Sequence, residues 1–469
     1  MRLRRYTTIT RGRKCGRASV GRFRHSLFLK LRKGRGMTDL ADLTCVGPGT
    51  PMGTLMRQYW VPAAKSSELK RDGDPMRLML LGEKLIAFRD SEGRVGVLDH
   101  RCPHRCASLF LGRNEESGIR CVYHGWKFDV AGRCVDMPSV PPHQDFKDKV
   151  HAKAFRTAER NGLVWVYMGD AAEPPPLPAI EANLVADCEI WCLQRDCNWL
   201  QALEGDIDTS HVGFLHVGSL KPDDLADDHP MRPTVLDRAP EYAVTNTAWG
   251  TMYGGYRPND DGQRSWRVAH FMFPFWTQTP NNRFSSRAIA RAWVPMDDEH
   301  SMLFDITCGV DEGNPAYSST RKTGEPLFAP FEYAPATTDW FGRWRCVDDR
   351  RNDWGIDREL QRNGSQYTGI PNITMQDQAV TESMGPIIDH SYEHLAPTDQ
   401  MIARTRRRLL LATQALSEQG TLPPGAQDSD VFFGARAGSF LCDPGLPFET
   451  AYATQLETAT RWAGDKVVS

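Results

Sequence analysis

The first 36 residues of this 469-residue chain contain no aspartate or glutamate, although they hold 13 of its 57 lysines and arginines. The stretch also lacks the continuous apolar core of a secretory signal, while sharing the composition of an organelle-targeting leader. Because Met37 opens a segment of ordinary composition, residues 1–36 read as a disordered basic arm or as upstream sequence translated from a misassigned start, the latter preferred. Without them 44 basic residues face 59 acidic ones, a body charge of about −15 that argues against nucleic acid as the main partner. No apolar run approaches the roughly 18–20 residues needed to span a bilayer, so a soluble chain without membrane association is expected. The 12 cysteines lack the dense pairing of a secreted scaffold. A reducing cytoplasm is the default, with Cys188, Cys308, Cys346 and Cys442 serving as small apolar residues. No internal repeat is present.

What is there is a globular balance, 40% hydrophobic and 25% charged, at a length that calls for two or more packed units. Short runs rich in Val, Ile, Leu and Phe, such as RLMLLGEKLIAFRD, RVGVLDH and NGLVWVYMGD, are separated by turn residues and predict an all-β unit over residues 37–172. The proline-rich stretch 173–180, with EPPPLP at 173–178, marks a linker. Strand-like HFMFPFWTQTP and SRAIARAWVPM together with helical DQMIARTRRRLLLATQAL predict an α+β domain over 181–430, followed by a C-terminal tail at 431–469. Residues 313–330 read as a loop from their Gly and Pro content.

Within the β unit, Cys102, His104, Cys121 and His124 form C-x-H, sixteen residues, then C-x2-H. Coincidence in a turn-rich sheet, a structural zinc site and a Rieske 2Fe-2S centre compete as readings. Zinc would explain the ligands but not their neighbours. The stretch CPHRCASLFLGRNEESGIRCVYHGWKFDVAGRC resembles the Rieske segment of ring-hydroxylating non-haem iron oxygenases. In that reading the cysteines hold one iron and the histidines the other, Gly125 permits a tight turn and Trp126 shields the cluster. The rival within the class is a membrane electron-transport subunit, whose two loops share a disulfide. Here Tyr123 stands where that type has cysteine and Cys106 has no partner in place, so the oxygenase form is preferred.

Downstream, NWLQALEGDIDTSHVGFLH offers His211 and His216 for a facial triad that leaves positions open for O2 and substrate. Five residues turn an ideal helix by about 140°, so a distortion is expected, with Gly213 as the place for it. The stretch is similar to the iron-binding segment of the same family. That resemblance implies that Asp208 bridges His211 to the Rieske ligand His124 of a neighbouring subunit, and that NITMQDQAVTESMGPIIDHS supplies the third ligand, Asp377. Glu382 is the nearest competitor, and a helix N-terminal charge is the plainer reading of Asp377.

The resemblance runs from about Met37 to about Ala415, and QYWVPA, WVPMDD and QDQAVTESMGPI resemble the phthalate 4,5-dioxygenase group of oxygenase components. It implies a Rieske domain followed by a helix-grip catalytic domain with an antiparallel sheet. It implies one 2Fe-2S cluster and one mononuclear Fe(II) per subunit, a homo-oligomeric trimer or hexamer, and an NAD(P)H-dependent reductase carrying FMN and 2Fe-2S. The expected reaction is hydroxylation, first of all cis-dihydroxylation, of an aromatic and possibly carboxylated substrate. Monooxygenation or oxidative O-demethylation is the alternative, and a Rieske electron carrier or zinc-structured binding protein is the reading from another class. Arg257 and Arg267 are candidate carboxylate anchors, or solvated arginines; Phe271, Phe273, Phe275 and Trp276 could line an aromatic pocket or a core strand. Arg101, Arg105, Arg113, Arg120, Lys127 and Arg133 surround the cluster motif, a positive face for an acidic reductase or a merely solvated one.

Overall fold

Short runs of apolar residues, buried nearly throughout their length and separated by tight turns, set the strands of the N-terminal half, which a computed structural model resolves into two antiparallel sheets. The structure describes residues 40–468 apart from 209, 217, 219–220, 226–231, 259–261, 281–282, 285–286, 310–329, 460 and 464–465. The basic segment 1–36 and nearly all of the loop expected at 313–330 therefore lie outside the described residues. Strands β1 (Trp60–Lys65), β2 (Met76–Leu80), β3 (Glu83–Arg89) and β4 (Val95–Asp99) share a six-stranded sheet with β9 (Ala154–Arg160) and β10 (Leu163–Tyr167), in the order β1-β10-β9-β4-β3-β2. Between β4 and β9 a smaller sheet runs through β5 (Arg113–Glu115), β6 (Gly118–Arg120), β7 (Lys127–Phe128) and β8 (Cys134–Asp136).

The β9–β10 hairpin closes on Asn161 and Gly162, both at positive φ (45° and 84°), the two-residue turn whose twist suits antiparallel strands. The β2–β3 hairpin closes in the same way on Leu81 and Gly82 (φ 47° and 75°). A leucine there costs roughly 1–2 kcal/mol, which complete burial of its side chain, about 1.5–3 kcal/mol, offsets. This turn docks the sheet on the second domain, Leu81 N donating to Pro295 O (3.0 Å) and Gly82 N to Met296 O (2.8 Å).

The second domain is built on an eight-stranded antiparallel sheet: β11 (Glu189–Arg195), β12 (Glu241–Asn246), β13 (Gly250–Pro258), β14 (Arg264–Met272), β15 (Trp276–Gln278), β16 (Ala288–Pro295), β17 (Ser301–Cys308) and β18 (Gly438–Cys442). Its order is β11-β17-β16-β15-β14-β13-β12, with β18 also on β14. The stretch expected as one strand, HFMFPFWTQTP, instead turns at Phe273–Phe275, between β14 and β15. The expected C-terminal tail is likewise corrected: β18 pairs with β14 from Arg264↔Cys442 to Val268↔Gly438, and a helix follows that covers Trp266, whose ring stacks on Phe448 at 4.8 Å. Five helices matter below: α1 (Trp199–Ile207), α2 (Val212–Leu215), α3 (Ile373–Ser383), α4 (Gln400–Gln419) and α5 (Phe448–Thr458).

Side-chain parity along β14 divides the layers. Trp266 and Val268 pack towards α5, whereas Ala269 and Phe271, on the face of Arg267, join the main core with α1. That core is shared with the N-terminal sheet, Trp165 stacking on Trp276 at 5.8 Å. A separate small core of Ile86, Phe88, Leu98, Ile119 and Phe128 holds Cys102 and Cys121. Antiparallel sheet with helices against it is the arrangement expected from the sequence.

Candidate metal centres

The two Cys/His loops are constructed alike. Cys102 N donates to Ala107 O (2.8 Å) and Cys121 N to Trp126 O (2.9 Å), while each cysteine carbonyl accepts from the amide four residues on, Cys106 and Gly125 (both 2.9 Å). That fourth residue is left-handed in both, Cys106 at φ 61° and Gly125 at φ 77°. A Cβ on Gly125 would meet Pro138 Cγ at 2.7 Å, so glycine is needed there for space as well as conformation. The loops bury both thiols and leave both imidazoles partly exposed, with the His104 and His124 rings 4.4 Å apart. Trp126 stacks on His104 at 4.3 Å, and its buried indole N–H has no hydrogen-bond partner among the described residues. Burial, with Cys121 close by, pushes the Cys102 thiol up to about 12. Two buried thiols this near each other need a cation to ionise, which an iron–sulfur cluster provides; the donor set fits one. Every cysteine among the described residues is a free thiol, Cys106 exposed among them.

A group that could hold the mononuclear metal gathers where α1 ends. Asn198 caps the start of α1, its side chain accepting from Leu200 N (3.0 Å), and Asp208 follows its last turn. Asp208 Oδ1 then accepts from Ser210 N (2.8 Å) and Ser210 Oγ (2.6 Å), a local turn that aims Oδ2 at His211 Nδ1, 3.7 Å away. His211 and His216 flank the single turn of α2, His216 at φ −94°, ψ 12°, outside helical geometry. The chain leaves the helix at His216, not at Gly213, which stays inside α2. There a Cβ would meet Arg238 Cβ and Cγ at 3.0 Å, so the glycine permits close packing rather than a break.

From across the domain, α3 brings Asp377. Its Oδ1 lies 3.6 Å from His211 Nε2 and 3.5 Å from His216 Nε2, and the three ligand atoms lie within 4.8 Å of one another. Asp377 is the fifth residue after the Asn372 cap, beyond the first turn where the helix dipole acts. Glu382 is engaged elsewhere, accepting from Asp196 N (2.9 Å), Gln378 Nε2 (2.8 Å) and Trp354 Nε1 (2.7 Å). Two imidazoles and one carboxylate converging in this way fit Fe(II) with open positions. The histidines differ electrostatically. Burial opposes protonation of His211, but Asp208 and Asp377 outweigh it and hold its pKa up. Burial holds His216 down, with Arg267 adding to the effect against the pull of Asp377. Burial would raise Asp208, yet His211 and the Ser210 donors keep it below the usual carboxylate range.

Sequence reasoning overlooked Ser210 and Gln376; the latter is fully buried with Oε1 2.6 Å from His216 Nδ1. The only signal for either was adjacency to a ligand. Arg257 and Arg267 are buried, not solvated: Arg257 Nε donates to Asp237 O (2.6 Å) and an Arg267 NH group to Thr234 Oγ1 (3.0 Å). Phe273 borders the same small cavity as Tyr59, Trp60, Phe432, Pro175, Pro176 and Pro178. It is part of the main core, as are Phe271, Phe275 and Trp276, rather than of the cluster around His211, His216 and Asp377. The positive face around the cluster loops is largely cancelled. Five of its six cations pair with Asp99, Glu115, Glu116, Asp129 or Asp136, leaving Arg105 stacked over Tyr123 at 5.9 Å.

Comparison with known proteins identifies two domains. Residues 59–152 match the Rieske [2Fe-2S] domain and residues 166–432 the domain described as LigXa C-terminal domain like. The chain is 51% identical to the 3-chlorobenzoate-3,4-dioxygenase oxygenase subunit of Comamonas testosteroni over 90% of this chain and 99% of that one. It is 36% identical to the phthalate 4,5-dioxygenase oxygenase subunit of Pseudomonas putida over 78% and 83%. The caffeine-bound QL mutant of NdmA from Pseudomonas putida CBB5 shares the fold, with a TM-score of 0.55 at 18% identity over 80% and 95%. No helix among the described residues is long and apolar enough to cross a membrane. The chain belongs to the Rieske non-haem iron aromatic ring-hydroxylating oxygenases, as an oxygenase subunit that carries a 2Fe-2S cluster and binds a mononuclear iron in its catalytic domain.

Proposed function

We propose that this subunit hydroxylates an aromatic carboxylic acid of the benzoate or phthalate type, by cis-dihydroxylation, with His211, His216 and Asp377 holding the mononuclear iron and Cys102, His104, Cys121 and His124 the cluster. The observation that carries the reading is a buried guanidinium, Arg267, on the face of β14 that joins the core with α1, the helix that ends at Asp208. Arg267 is 3% exposed, and its charge adds to the burial that holds the His216 imidazole's pKa down. Burial pushes Arg267 down to about 10, so it is still a cation at neutral pH, and Arg257 on the neighbouring strand is equally buried. A cation held there favours an anionic substrate group and can grip a carboxylate with two parallel hydrogen bonds. Both similar oxygenase subunits are named for aromatic acids.

Bound iron supplies activation of O2, with electrons drawn from the cluster; the chain supplies orientation and exclusion of water. His211 and His216 each turn Nε2 towards Asp377 and their other nitrogen towards a fixed acceptor, while Asp208 couples His211 to the partly exposed His124 of a second copy. We take the seam between the two units to lie in the proline-rich segment 173–180, the assembly to be a homo-oligomer built from trimers, the electron donor to be a flavin and iron–sulfur reductase, and the compartment to be the cytoplasm.

The test is turnover of 3-chlorobenzoate, phthalate and their uncharged methyl esters with a reductase under 18O2, after about three iron and two acid-labile sulfides per chain are verified. A diol labelled at both oxygens is expected from an acid but not from its ester. Arg267→Met should lower kcat/KM for the acid about 10- to 100-fold, the worth of a charge-assisted hydrogen bond of about 1.5–3 kcal/mol, with unchanged iron content. Equal turnover of acid and ester would sink the carboxylate reading, and one labelled oxygen would replace dihydroxylation by monooxygenation.

A further inference from the structure

The two histidines of the iron site are supported by different chemistry, and the support of His216 comes from an uncharged side chain. Gln376 and Asp377 are consecutive on α3, so the helix delivers a ligand and its neighbour's hydrogen-bond partner together. Gln376 Oε1 lies 2.6 Å from His216 Nδ1, and Gln376 Nε2 donates to Ile370 O at 2.6 Å. The second bond fixes the first. Turning the amide over would set its oxygen against a carbonyl oxygen and its NH2 against the ring nitrogen, so Oε1 must accept and Nδ1 must carry the proton. Nε2 of His216 is then left with its lone pair directed to the site, 3.5 Å from Asp377 Oδ1. With Gln376 fully buried and His216 5% exposed, water cannot take over that acceptor role.

We infer that Gln376 is a positioning residue that sets the tautomer and aim of His216 as a neutral ligand, in contrast to His211, whose Nδ1 faces the carboxylate of Asp208. The inference rests on the reading of His211, His216 and Asp377 as the iron ligands. Its consequence is that metal affinity depends on an acceptor at residue 376 that does not itself touch the metal.

Co(II) serves as the probe, titrated into full-length protein stripped of mononuclear iron by a chelator but retaining its Rieske absorbance, with the visible d–d bands as readout. Gln376→Met and Gln376→Ala remove the acceptor and should weaken Co(II) binding about 10- to 100-fold. Gln376→Glu keeps an acceptor for Nδ1–H and loses the donor to Ile370 O; it should bind Co(II) within about threefold of wild type, with shifted d–d bands from the added charge. A role confined to packing predicts that Glu, Met and Ala variants weaken together, since all break the Ile370 bond, and that result overturns the inference. So does wild-type affinity in the Met and Ala variants. His216→Ala is the separate control: Co(II) binding unaffected by its loss would refute the ligand assignment itself, leaving the two failures distinguishable.

Discussion

His270, on β14, displays how strongly burial governs a side chain's charge in the catalytic domain. Fully buried, it uses both ring nitrogens in the neutral form, Nδ1 accepting from Trp249 Nε1 (3.2 Å) and Nε2 donating to Arg436 O (3.0 Å). Burial pushes its pKa down to about 3, against about 6.5 for an unfolded histidine. Between those values the unfolded chain binds a proton that the folded chain refuses, so the contribution is complete above pH 6.5 and is lost as pH falls towards 3, by about 2 kcal/mol at pH 5. Chemical denaturation at pH 7.5 and 5 should show the stability gap between wild type and His270→Gln narrowing by about that amount; a gap indifferent to pH would contradict it. The same residue marks a limit of sequence reading. A histidine in RVAHFMF looks no different from a ligand, whereas Cys102, His104, Cys121 and His124 stand out as proposed cluster ligands by their short, paired spacings. The proposal of Asp377 came only through family resemblance, and Gln376 gave no signal at all, because the role inferred for it depends on a carbonyl six residues away and an imidazole 160 residues away.

Among the helices, α1 and α4 are joined by a buried charge cluster that stands close to the proposed electron-entry residue. Arg406 on α4 donates from Nε and NH2 to both oxygens of Glu204 on α1 (both 2.6 Å) and also pairs with Glu393 at 2.7 Å, which in turn meets His390 Nδ1 at 2.8 Å. One turn on from Glu204, the amide of Asp208 donates to the Glu204 carbonyl at 3.1 Å, so the bridge holds the end of α1 from which Asp208 projects. Burial pushes Glu204 up in spite of Arg406, which shows how costly its charge would be alone. Arg406→Met leaves two carboxylates without their cation and should cost about 3–5 kcal/mol, whereas Glu204→Leu with Arg406→Met should recover a large part of it. Urea unfolding of the three proteins measures this; equal destabilisation of single and double variants would count against the pairing. Element by element, the helical stretch DQMIARTRRRLLLATQAL was legible and corresponds to α4, which runs three residues further, to Gln419. The contribution of β18 was not, because a five-residue strand acquires meaning only from pairing with β14, some 170 residues earlier.

At the scale of the whole molecule, the question is whether one chain can use its own cluster. His104 and His124 are partly exposed, Val122 and Tyr123 beside them are more than half exposed, and Asp208 next to His211 keeps a quarter of its side chain accessible. A large apolar pair exposed at the tip of a metal loop is expected to be covered in an assembly. The proposed arrangement places that tip against the Asp208 region of the next subunit, a head-to-tail contact that closes into a ring. Such a ring makes a sharp prediction. Cys121→Ser, lacking a cluster, and His216→Ala, lacking mononuclear iron, should each be inactive alone. Co-expressed with different tags and purified as mixed oligomers, they should regain activity, since any mixed trimer contains one junction in three at which an intact cluster faces an intact iron site, giving about a third of the wild-type rate per trimer. Electron transfer within a subunit would leave every mixed oligomer inactive, because no single chain would then hold both centres. Adding Asp208→Asn to the chain that retains its iron site should abolish the recovery without altering metal content, while the same change in the other chain should leave it intact. In the proposed ring the bridging carboxylate would be needed only on the side that receives the electron, so equal sensitivity to the substitution in both chains would refute the assignment of Asp208.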